Sequence, residues 1–114
     1  MSKKNPKITI KDMIFASELL IGFSKELTFE AYKKDYKTQF AAERCLEVIG
    51  EAAKRLPQEF KDLHPGIPWK NIAGLRDIVI HMYDNLDYKL IWDAITTKVP
   101  ELLEKLKKID RELK

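Results

Sequence analysis

Cysteine is almost missing from this chain. Cys45 is the only one in 114 residues, so no disulfide can close within the chain and no cysteine-based zinc site can be built. Its place on an apolar helix face predicts a buried, inert thiol. Histidine is nearly as scarce, with His64 and His81 alone, which disfavours metal chemistry and leaves two positions for proton exchange near neutral pH. Four glycines against 45% apolar residues point to a compact, helix-rich globule with room for one domain, residues 1–114. No uncharged run approaches the roughly 20 residues that span a bilayer, and the lysine-rich start lacks the apolar stretch of a signal peptide. The expected location is therefore the cytoplasm, with no membrane association. An excess of one charge is also lacking: 21 Lys and Arg against 18 Asp and Glu leave +3, which permits nucleic-acid binding without demanding it.

What is present is helical periodicity. Residues 1–7 read as a flexible basic terminus, and a first helix is expected from Thr9, where Thr9 and Asp12 can form a capping-box-like pair and Ile8 can staple onto Met13. Met13, Ala16, Leu20, Phe23 and Leu27 then line one stripe. After a break at residues 28–32, a second helix should run from near Asp35 to Leu56. Its inner side would carry Ala41, Ala42, Cys45, Leu46, Val48, Ile49, Ala52, Ala53 and Leu56, and its outer side Glu43, Arg44, Glu47, Gly50, Glu51 and Lys54. Three prolines and a glycine make residues 57–68 a loop. A third helix should start with Pro68 at its first position and continue to Tyr83 or Asp84. Asn85-Leu86-Asp87 forms a turn, and Asp87 caps a last helix carrying Ile91, Ile95, Lys98, Leu102, Leu106, Ile109 and Leu113 on one side. Pro100 should kink that helix without splitting it.

The third helix carries the chemistry. Ile72, Leu75, Ile78, Val79, Met82 and Leu86 occupy one side; Asp77, His81 and Asp84 form a row opposite, and Arg76, Ile80 and Tyr83 a neighbouring one. At about 100° per residue, Arg76 and His81 lie roughly 140° apart, so one helix cannot easily aim both at a single phosphate. A two-fold dimer could, by bringing each histidine towards the other chain's arginine across a cleft and covering Ile80. Taken alone, a histidine on an apolar helix is more often structural, and Arg76 could simply pair with Glu47 or Glu51. His64 beside Pro65 suits an exposed or turn contact; Trp69 and Trp92 suit packing anchors. The lysines at 105, 107 and 108 suit a solvated helix end that complements the helix dipole.

Arginine, four residues, histidine, one residue and tyrosine, here Arg76, His81 and Tyr83, resemble the motif of the HepT-like toxins in the HEPN superfamily. Residues 44–52 resemble that family's second-helix signature, and Ile67-Pro68-Trp69 with Gly74-Leu75-Arg76-Asp77 is similar to its approach to the catalytic helix. The resemblance covers roughly residues 9–110. It implies an all-α, up-and-down bundle of four or five helices that forms a homodimer, and a metal-independent ribonuclease activity that needs no cofactor. It also implies a nucleotidyltransferase antitoxin as partner. By the same resemblance Arg76 and His81 are the catalytic pair, and Tyr83 is the tyrosine that the partner can adenylylate. Asp77 stands where relatives often carry asparagine.

RNA supplies its own nucleophile, the 2′-hydroxyl, so such a site needs a proton-transfer group, His81, and a cation for the developing phosphorane, Arg76. Asp77 or Asp84 could orient His81, with Glu47 and Glu51 supporting Arg76. The alternative expectation is a catalytically silent module that binds a nucleotide or a nucleotidyltransferase partner, and the simplest is a structural helical dimer.

Overall fold

In a computed structural model, which describes residues 5–77 and 88–113, every regular element is a helix. The helices are α1 (Pro6–Ser24), α2 (Phe29–Lys34), α3 (Tyr36–Arg55), α4 (Gln58–Leu63), α5 (Trp69–Ala73), α6 (Tyr88–Asp93) and α7 (Val99–Glu112), with a π-helical segment, Ala94–Lys98, between α6 and α7. The protein is thus an all-α bundle. No helix among the described residues is long and apolar enough to cross a membrane.

The N-terminus corrects two expectations. Asn5, not Thr9, caps α1: its side-chain oxygen accepts from the Lys7 amide at 2.8 Å, and Pro6 fills the first helical position, where its missing N–H costs nothing. Residues 5–7 therefore belong to a structured helix start, and Thr9 is buried one turn inside it. The stripe also ends differently from its forecast. Met13, Ala16 and Leu20 are buried as expected, but Phe23 is exposed and Ser17 and Ser24 take inner positions, and Ile8, expected to staple onto Met13, is exposed as well. Ser24 is tolerated there because its hydroxyl donates to the Leu20 carbonyl at 3.0 Å, while α1 ends at that residue.

The expected break at residues 28–32 is a short helix of its own. The Thr28 hydroxyl accepts from the Ala31 amide at 3.1 Å, starting α2, and Asp35 closes α2 and caps α3 together. Asp35 takes the Thr38 amide at 3.0 Å and the Thr38 hydroxyl at 2.8 Å, which holds its carboxyl below the usual range. The second helix therefore falls where it was expected. Its inner residues Ala42, Cys45, Leu46, Ile49, Ala52 and Ala53 are buried, and burial pushes the Cys45 thiol pKa up, as an inert sulfur requires. Truncating Leu46 or Ile49 to alanine would cost about 2–5 kcal/mol at such fully enclosed positions.

The stretch expected as a plain loop contains α4, followed by a tight anchor. Trp69 Nε1 donates to the His64 carbonyl at 2.9 Å, His64 lies 4.7 Å from Phe60 between ring centroids, and Lys105 Nζ reaches the Gly66 carbonyl at 2.9 Å. Pro68 is the cap of α5 rather than its first residue. Trp92 packs on Tyr32, with ring centroids 5.1 Å apart, so both tryptophans are packing anchors. Lys7, Lys11 and Lys107 pair with Leu113, Asp110 and Glu18 respectively, an order that makes α1 and α7 antiparallel neighbours.

Pro100 acts one turn earlier than a simple kink would. Lacking an N–H, it cannot bond the carbonyl four residues back, and the chain widens into the π segment before it, where the Val99 amide reaches the Ala94 carbonyl. The helix stays unbroken from Tyr88 to Glu112. Widening also changes which residue faces inward: Lys98, assigned to the apolar side from its spacing, is exposed, and Val99 is buried instead.

Candidate functional site

Arg76 is placed by a glycine on another helix. The third helix is not continuous from Pro68; α5 ends at Ala73, the Gly74 amide donates to the carbonyls of Ile72 and Lys70, and helical conformation resumes at residues 75–77. That turn lets the backbone at Arg76 settle against α3. A Cβ built on Gly50 would stand 3.0 Å from the Arg76 amide nitrogen, 3.1 Å from its Cβ and 3.2 Å from the Ala73 carbonyl oxygen. Gly50 is therefore buried beneath Arg76 rather than on a solvent face, and any side chain would hold the two helices apart.

From that seat the Arg76 Nε lies 3.3 Å from Glu51 Oε2, with the two side chains 41% and 44% exposed. Such a pair is half in water, so it orients the guanidinium more than it neutralises it; its contribution to stability is at most about 1 kcal/mol. Among the described residues Glu51 is the only carboxylate that pairs with Arg76. Glu47 does not join this pair: among the described residues it pairs with Arg44 on its own helix, at 3.4 Å, one turn away. Asp77 is exposed, on the first helical turn after Gly74. Glu43, expected on the outer side, is buried and lies close enough to Tyr32 to raise its phenol pKa, after the larger effect of burial itself.

The Arg76 side chain borders an open hollow of about 340 Å³ whose other walls are Glu51, Lys54 and Arg55. Lys54 and Arg55 form the last turn of α3, where cations complement the helix dipole. Arg55 was not singled out from sequence at all, and Lys54 was read only as part of a mixed outer face. Their proximity to Arg76 depends on how α3 meets the segment after Gly74, which no local pattern encodes.

His81, Tyr83, Asp84 and Ile80 lie outside the described residues, as does the turn at residues 85–87. Among the described residues no three His, Cys, Asp or Glu side chains converge as a metal-ligand set. His64 lies elsewhere, on Phe60, and lines a separate hollow with Lys105 and Lys108.

A helical bundle that presents a half-exposed arginine, oriented by one carboxylate and flanked by cations, defines a protein suited to anionic ligands. The sequence places it more closely. Residues 13–109 match the HepT-like ribonuclease family, and the chain belongs to that family, within the HEPN superfamily. It is 42% identical over 107 residues to the "Probable ribonuclease HepT" of Thermococcus cleftensis, covering 94% of this chain and 97% of that protein. It is 40% identical over 113 residues to "Putative RNase MJ0127" of Methanocaldococcus jannaschii, covering 99% and 93% of the two. No solved structure matches.

Proposed function

We propose that this protein is a metal-independent endoribonuclease acting as the toxin of a cytoplasmic toxin–antitoxin pair, with one HEPN domain per chain and a site shared across a homodimer. The observation that carries the reading is the state of Arg76: seated by Gly50, oriented by Glu51, and still 41% exposed beside an open hollow. A purely structural arginine would be expected to spend its donors inside the protein. The names of the relatives add RNA as the substrate class.

In this reading the RNA 2′-hydroxyl attacks the adjacent phosphorus, the P–O5′ bond breaks, and the products are a 2′,3′-cyclic phosphate and a 5′-hydroxyl. His81 moves the proton, Arg76 stabilises the charge on the phosphorane, and Asp77 or Asp84 orients His81. Glu51 supports Arg76. Dimerisation places the histidine of one chain near the arginine of the other. It is supported by Tyr36 and Phe40, 67% and 62% exposed, which helical spacing puts on the same side of α3 as Glu47 and Glu51 and which offer apolar surface to a partner chain. The antitoxin is a nucleotidyltransferase that silences the site by adenylylating Tyr83, adding bulk and negative charge where RNA must enter.

The test is cleavage of RNA by purified protein in excess EDTA, with product ends mapped. Wild type should leave cyclic phosphates, and His81→Ala and Arg76→Ala should abolish most cleavage while folding persists. Cutting that needs added metal, or that survives His81→Ala in highly purified protein, would reject the mechanism.

A further inference from the structure

The hollow beside Arg76 holds more positive charge than the chemistry asks for. Among the described residues Lys54, Arg55 and Arg76 face one carboxylate, Glu51, a local excess of two positive charges in a chain whose whole net charge is +3. The helix dipole accounts for basic residues in the last turn of α3, but it does not account for a third cation delivered from a different helix to the same space. Among the described residues neither Lys54 nor Arg55 has a carboxylate within salt-bridge distance, and both are exposed. Surface cations that outnumber the carboxylates around a concavity attract an anion more strongly than isolated ones, because their potentials add.

We infer that Lys54 and Arg55 form a phosphate-holding subsite that grips the RNA backbone next to the phosphate under attack, making them substrate-binding residues of the site centred on Arg76. The inference rests on the ribonuclease reading for the identity of the ligand, but not for the anion site itself. The hollow, about 340 Å³ and open to solvent, leaves room for a phosphate with its sugar. The division of labour follows from position. Arg76 is held by Glu51 in one orientation, which suits a group that must meet a developing charge. Lys54 and Arg55 have no such restraint among the described residues, which suits gripping a flexible strand in more than one register.

The test separates binding from cleavage. A fluorescent RNA dodecamer with 2′-O-methyl sugars cannot be cut, and its anisotropy with the full-length protein reports affinity directly. In the double variant Lys54→Gln/Arg55→Gln the dissociation constant should rise on the order of tenfold at moderate salt. The slope of log affinity against log salt should shrink by about 1.4, since a single strand releases about 0.7 counterion per phosphate contact. The matched double variant Lys105→Gln/Lys108→Gln, which removes the same charge from α7, should bind as wild type does. Both pairs are surface substitutions, and thermal melts would confirm intact folding. Unchanged affinity and slope in the Lys54/Arg55 variant, with wild type binding in a salt-dependent way, would overturn the inference. ATP in EDTA is the second probe: if wild type ignores the RNA but binds ATP through Lys54 and Arg55, the phosphate site stands and the ribonuclease reading falls. Binding of neither probe overturns the subsite.

Discussion

Gly50 and Arg76 meet backbone to backbone, so that a single methyl group on α3 would press at 3.0 Å on the amide of the arginine. Mid-helix glycine costs roughly 1 kcal/mol relative to alanine in propensity, so Gly50→Ala would stabilise an isolated helix. Here the neighbour is backbone and cannot rotate away. Overpacking of this kind costs about 1–3 kcal/mol. Gly50→Ala should therefore lower the melting temperature by a few degrees, and it should reduce RNA cleavage by more than the loss of folded protein explains, because Arg76 is displaced. A melting temperature at or above wild type would show that the helices part without strain.

Glu51 restrains Arg76 without burying it, and Glu51→Gln separates the two effects. With side chains more than two-fifths exposed, loss of the ion pair should change stability by less than about 1 kcal/mol. RNA should bind more tightly, since a repelling carboxylate is gone, while turnover falls as the guanidinium loses its fixed direction. Calorimetry and single-turnover cleavage read these separately. Weaker RNA binding in Glu51→Gln would mean that the carboxylate itself contacts substrate.

Self-association should depend on the exposed aromatics of α3. Phe40→Asp, and separately Ile80→Asp, should shift the protein towards monomer in sedimentation without lowering the melting temperature by more than the dimer contributes. Mixing inactive His81→Ala with inactive Arg76→Ala should restore part of the activity, because one cleft of the heterodimer keeps both groups. A wild-type monomer at micromolar concentration, or no restoration on mixing of proteins shown to exchange subunits, would sink the shared site.

Tyr83 gives a mass signature. Co-expression with a neighbouring nucleotidyltransferase should raise the intact mass by whole adenylyl units, and Tyr83→Phe should prevent the shift. Undiminished labelling of Tyr83→Phe places the modification on another residue.

Asp35 makes part of the fold depend on acid. Its folded pKa is lowered, first by the Thr38 amide and then by the Thr38 hydroxyl. A depressed carboxyl stabilises above its unfolded pKa of about 4 and loses that contribution as pH falls through the folded value. Asp35→Ala should consequently melt below wild type at neutral pH, and the gap should narrow once pH drops beneath about 4. A gap of constant width would assign the effect to the helix-start geometry alone.

Sequence made the span of the second helix and most of its inner side legible, because Asp35 is a cap and the apolar series faces one core, while Glu43 and Gly50, expected outside, are buried and Ala41 and Val48, expected inside, are only partly so. It misplaced the start of the first helix, since Asn5-Pro6 is as good a helix opening as Thr9 and lies in a stretch that composition marks as a tail. Phe23 fits the apolar period and yet is exposed, because periodicity records spacing but not how far the neighbouring helices reach. At the site, Arg76 was recognisable as a type in a pattern, and Glu51 as one of two candidate partners. The choice of Glu51 over Glu47, and the arrival of Arg55 in the same hollow, follow from the Gly74 turn and the Gly50 contact, both tertiary in origin.

The π segment at Ala94–Lys98 makes the last helix a join between two phases of one repeat. Upstream of it Ile91 is buried and Trp92 lies on Tyr32, while downstream Val99, Leu102, Leu106 and Ile109 keep their own rhythm. The extra residue behaves as an insertion that the fold has absorbed. Removing one exposed residue, Thr96 or Thr97, would let the wide turn close into an ordinary one and leave both flanks in phase, because Val99 would take the inward place that regular spacing gives to residue 98. Ile91 would then stay in the core and Trp92 on Tyr32, so a deletion there should be tolerated better than one elsewhere in this helix, at the remaining cost of seating Pro100 in a closed turn.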